Sequence, residues 1–107
     1  MRFKVIVGDA LYAVHIPAEV LADGAAFFAK LDRDMDRGWQ MSREYVARPD
    51  QMQRCQIAAD RLLTSIDNGN QATATMMAAY IVTRVPGAIG VEIDTAGETQ
   101  NTTLLYA

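Results

Sequence analysis

Residues 70–84 read Asn-Gln-Ala-Thr-Ala-Thr-Met-Met-Ala-Ala-Tyr-Ile-Val-Thr-Arg, and this stretch constrains the fold more than any other. Wound as a helix, it points Ala72, Ala74, Met76, Met77, Ala79, Tyr80, Ile81 and Val82 in every direction around the axis. A helix that is hydrophobic all round is a buried one. Its many small side chains let neighbouring elements approach closely. Asn70 supplies the N-cap oxygen, and Pro86-Gly87 ends the helix. The stretch therefore predicts the centre of a fold. It does not predict a membrane span, which needs about 20 apolar residues. The longest uncharged run, 68–83, holds Asn68, Gly69, Asn70, Gln71 and three threonines.

A buried helix needs layers around it, and two more helices are legible. Asp50 and Gln53 have the spacing of a capping box at the head of residues 50–68. Met52, Cys55, Ala59, Leu62 and Ile66 follow at alternating spacings of three and four, widened by Ala58 and Leu63. Arg54, Asp60, Arg61 and Asp67 lie opposite, and Gly69 ends the helix in the left-handed manner. Over residues 24–37, Gly24, Phe27, Phe28, Leu31 and Met35 gather on one face, which Val20 extends. Lys30, Arg33 and Arg37 fall on one flank, Asp32 and Asp36 on the other. Gly38 is the cap, and Trp39 is expected to fold back as its apolar contact. Residues 40–48 fit either a short helix or an irregular connection.

Strands flank this helical middle. Phe3, Val5 and Val7 alternate with Arg2 and Lys4, Gly8-Asp9 has turn chemistry, and residues 11–16 return until Pro17. At the other end Val91 and Ile93 alternate with Glu92 and Asp94. Residues 95–98 are turn-like, and 102–106 form a further strand. The chain of 107 residues is half hydrophobic and about a fifth charged, the size and profile of one globular domain spanning 1–107. The expected architecture is α+β. A three-helix layer (about 24–37, 50–68 and 70–84) packs on a small antiparallel sheet built from the N-terminal hairpin and the C-terminal strands.

Composition removes several functions. Ten basic residues are scattered among thirteen acidic ones for a net charge of −3, so no clustered Lys and Arg are available to neutralise a nucleic-acid backbone. One cysteine permits no intrachain disulfide and no zinc site of the cysteine-pair type. The apolar run after Met1 is too short for a signal peptide, and a cytoplasmic location is expected. No cofactor motif is present. Gly87 and Gly90 follow a proline and lead into a strand, the wrong order for a phosphate loop.

Two sets of residues carry the candidate chemistry. Asp32, Asp34, Asp36 and Gly38 have the opening rhythm of a calcium loop, but the glycine comes one position late. Arg43 also stands where the closing glutamate belongs, with Glu44 one step beyond. On a helix Asp34 points about 200° away from Asp32. The divalent-metal alternative is therefore Asp32, Asp36 and Glu44. The only histidine, His15, lies on a strand, with Asp9 and Glu19 as conceivable partners for acid–base work. Cys55 sits on an apolar stripe, where a thiol packs as a small hydrophobe. The second set is a partner surface of Trp39, Arg43, Arg54 and Ile57, the last lying opposite the apolar stripe of its helix. With no catalytic constellation, the expected function is that of a non-catalytic accessory or regulatory protein acting through protein–protein contacts, as a homodimer. Symmetric dimers are the commonest assembly of small proteins.

Overall fold

A two-residue turn at Gly8-Asp9 joins β1 (Arg2–Val7) to β2 (Ala10–His15), with Val7 opposite Ala10. Gly8 has a φ of +59°, which the first central position of a tight hairpin turn demands and glycine adopts without strain. A computed structural model describes all 107 residues. After the hairpin come α1 (Ala18–Asp23), α2 (Ala25–Asp36), β3 (Trp39–Met41), β4 (Glu44–Val46), α3 (Gln51–Asp67) and α4 (Gln71–Arg84). The chain closes with β5 (Ala88–Ile93), a 3-10 turn at Thr99–Asn101 and β6 (Thr103–Tyr106).

The fold is α+β, as expected, but the sheet is mixed. Its order is β2-β1-β5-β6, and the central pair β1 and β5 runs parallel, with Lys4 opposite Gly90 and Val7 opposite Ile93. Hairpin signals reveal only neighbours in sequence. The parallel pairing closes over the whole helical segment, the long crossover that parallel strands require. Gly90 permits it: a Cβ there would collide with the Lys4 carbonyl, so the two backbones meet only because residue 90 has no side chain.

Phe3, Val5, Val14, Val91, Ile93 and Leu104 point from one sheet face into the core. Helices α3 and α4 pack against each other, and both reach β5 on that face. Ala74, Met77, Ala78, Ala79, Tyr80 and Ile81 of α4 are buried, while Gln71, Ala72 and Thr83 stay outside near its ends. Burying a side chain the size of Met77 or Ile81 contributes roughly 1.5–3 kcal/mol each. Asn70 caps α4 by accepting from the Thr73 amide, and the Asp50–Gln53 capping box on α3 is formed in both directions.

Three local expectations need correction. Ile57 is only 1% exposed, because α3 is flanked by α4, β5 and the 3-10 turn, and this covers the side that its sequence stripe leaves open. Met52, placed on the stripe, is exposed instead. Residues 40–48 contain all but the first residue of a hairpin, in which Trp39 pairs with Val46 and Met41 with Glu44. Gly38 does take a left-handed φ of +93°, yet the residue over it is Tyr45, whose hydroxyl donates to the Arg37 carbonyl at 2.9 Å. Trp39 is half-buried against the core. Ser42 turns the hairpin with a φ of 58° that side-chain-bearing residues seldom adopt. Its hydroxyl accepts from the Thr99 amide at 2.8 Å and meets the Thr99 hydroxyl at 2.9 Å, which anchors the turn to the 3-10 segment.

No helix is long and apolar enough to cross a membrane.

Candidate functional site

The most concentrated chemistry lies where α2, α3 and α4 meet. Asp32, on the outer flank of α2, accepts the Tyr80 hydroxyl on Oδ1 at 2.6 Å. Arg84, near the end of α4, donates to Oδ2 from Nη2 at 2.7 Å and from Nε at 3.2 Å. Arg54 of α3 bridges the two aspartates, reaching Asp32 Oδ1 at 3.2 Å and Asp36 Oδ1 at 2.6 Å. Its Nε also donates to the Pro49 carbonyl at 2.9 Å. The Arg84 guanidinium lies 5.0 Å from the Tyr80 ring centre, within cation–π range.

Helical spacing explains half of this arrangement. Asp32 and Asp36 are four apart and share a face, so a single arginine reaches both. Asp34 turns away and pairs with Lys30 at 3.2 Å. The other half is tertiary. A tyrosine hydroxyl carried into a core by a buried helix must find a partner, and Asp32 is that partner.

Burial alone would raise the Asp32 pKa, but hydrogen bonds from Tyr80, Arg84 and Arg54 outweigh it and hold the carboxyl below its ordinary value. The Tyr80 phenol moves the other way, pushed up by burial and by its bond to Asp32. Cys55 is buried beside the cluster, and burial pushes its thiol up to about 11. Every buried side-chain polar atom has a partner. Two carboxylates and two guanidiniums balance, so the cluster acts as a clamp between three helices. It presents neither an activated nucleophile nor a free base.

The sequence-chosen residues fall in several places. Asp32 and Asp36 are held by arginines, whereas Glu44 sits on β4 and accepts from Gln100 Nε2 at 2.7 Å. No three His, Cys, Asp or Glu side chains converge as metal ligands would. Among Trp39, Arg43, Arg54 and Ile57, Arg43 is exposed in the β3–β4 turn and Trp39 half-buried. The Arg54 side chain is 17% exposed and committed to the clamp. Ile57 is interior. The four do not form one surface.

The surface that does stand out is on the sheet. Helices cover one face only; the other displays Ile6, Leu11, Ala13 and Leu105 among Arg2, Lys4, His15, Glu92 and Thr103. Leu11 is 66% exposed, the most of any large apolar residue. Strand β2 is also an edge of the sheet. Beside it runs a cleft of about 530 Å³ lined by Tyr12, Val14 and His15 on the strand side and by Ile66, Gln71 and Ala74 on the helix side. His15 thus sits on an exposed edge, with no acid partner bonded to it. Sequence reading missed this surface, although its signal was present in the two-residue turn and the uncharged stretch 10–14.

No family model matches the chain, and no curated protein or solved structure is significantly similar to it.

Proposed function

We propose that the protein is a small, non-catalytic accessory or regulatory protein that works through protein–protein contact, as a homodimer. The observation that carries this reading is the uncovered sheet face, where Leu11 stands 66% exposed on the edge strand beside Ile6 and Ala13. Sheets that keep one face in water normally make that face polar, by strict alternation along each strand. Here β2 places Leu11 and Ala13 on the water side. The polar cluster supports the same reading, since its charged groups are spent on one another and hold helices together.

Sedimentation velocity over a concentration series tests the proposal. The expected result is a dimer that dissociates on dilution. A chain that sediments as a monomer up to the highest soluble concentration, and retains no protein partner on purification, would overturn it.

A further inference from the structure

We infer that two copies of this chain join through β2, which pairs antiparallel with β2 of the second copy across a two-fold axis at Ala13. The inference rests on the self-association proposed above and places it at the edge of the same sheet, beside the uncovered face rather than over it.

The pattern of backbone hydrogen bonds dictates the register. In an antiparallel pair, opposite residues alternate between those that exchange two bonds and those that exchange none. Ile16 exchanges both with Met1, its amide donating at 2.7 Å and its carbonyl accepting at 3.0 Å. Val7 and Ala10, which flank the two-residue turn, are of the bonded kind as well. The amides and carbonyls of Ala10, Tyr12, Val14 and Ile16 are therefore used toward β1. Those of Leu11, Ala13 and His15 point away from the sheet. None of the three has a protein partner on that side.

These three residues are evenly spaced about Ala13, and this makes the edge its own complement. Setting Ala13 opposite Ala13 of the second copy places Leu11 opposite His15 and His15 opposite Leu11. All the outward amides and carbonyls are then satisfied at once. On the helix side of the sheet the same register sets Tyr12 against Val14, a favourable aromatic and β-branched pair. The cleft along β2 has the volume to receive those side chains. Ala13 lets the backbones close, and β2 contains no Asp, Glu, Lys or Arg, so two chains of net charge −3 meet here without like charges opposed.

The other edge of the sheet is blunted in the ways natural proteins use against such pairing. Strand β6 has four residues, and its register with β5 is broken between Ala88 and Gly90. Strand β2 has six residues, regular pairing, no proline and no lysine.

Ala13→Pro is the discriminating substitution. It removes only the outward amide, leaving every bond to β1 in place, and proline is tolerated on an edge strand of this kind. The expected result is a folded monomer whose self-association is at least tenfold weaker, with a near-native circular dichroism spectrum. A covalent trap covers the case in which that variant fails to fold. Bonded opposite residues lie about 5.5 Å apart between Cα atoms, within disulfide reach, so Ala13→Cys should oxidise to a covalent dimer. His15→Cys should not, since the two copies of residue 15 would lie about 13 Å apart along the strands. A dimer that survives Ala13→Pro, or that cross-links equally well through residue 15, overturns this interface and leaves self-association standing. A strictly monomeric wild-type protein overturns both.

Discussion

The Tyr80 hydroxyl donates to Asp32 Oδ1 at 2.6 Å, and this bond ties the middle of the buried helix α4 to the water-facing flank of α2. It lies at the inner end of a chain of charged groups that reaches Asp36 through Arg54. Removing one member leaves the others with less than they need.

Tyr80→Phe should cost about 1.5–2 kcal/mol in urea unfolding, the low end of the range for a hydrogen bond to a charged group, because Asp32 keeps its arginine donors. Asp32→Ala should cost more, about 3 kcal/mol, because it strands the Tyr80 hydroxyl and deprives Arg54 and Arg84 of a shared partner. The reverse order would mean that the clamp contributes little to holding the helices together.

The same carboxylate sets an acid limit. The folded-state pKa of Asp32 lies below the ordinary value of 3.8, so its contribution to stability is complete above that value. It is lost as pH falls further, through the folded-state pKa. Melting temperature measured from pH 6 to pH 2 should fall more steeply in the acid limb for the wild type than for Asp32→Asn. Parallel curves would remove Asp32 from the acid response.

Ile57→Ala should behave as a core truncation, destabilising by about 2–4 kcal/mol, whereas Met52→Ala should change stability by less than about 1 kcal/mol. A helical wheel of α3 alone suggests the opposite ranking. The two variants therefore report directly on whether the 3-10 turn and β5 close over that flank.

Cys55, with its thiol pushed up to about 11, should be inert toward a thiol-specific disulfide reagent at pH 8 in the native protein. It should react stoichiometrically once guanidinium chloride unfolds the chain. Rapid labelling in the native state would show that the space between α3 and α4 opens readily.

Much of this architecture was legible because it is written locally. The Asp50–Gln53 box and the Asn70 cap each act within a few residues of themselves and appear as read, and the apolar run 71–84 gives a helix buried through residues 77–81, with Ala72 outside. What was not legible depends on partners distant in the chain. The parallel seam of β1 and β5 needs Lys4 beside Gly90, and the clamp needs Asp32 beside Arg84. Residues 39–46 make only two three-residue strands, too short for alternation to show, and an exposed Tyr45 takes the place over Gly38 expected of Trp39. For the candidate surface, the sequence showed an uncharged strand. Only the hydrogen-bond parity set by Ile16 and Met1 shows which amides that strand turns outward.

The place of β1 in the middle of the sheet governs the order of events during synthesis. Its second neighbour, residues 88–93, leaves the ribosome only after all four helices have been made. Until then the amino-terminal hairpin has two open sides, a state prone to aggregation at high concentration. Translation speed and temperature should therefore affect the yield of native protein more strongly than its final stability would suggest.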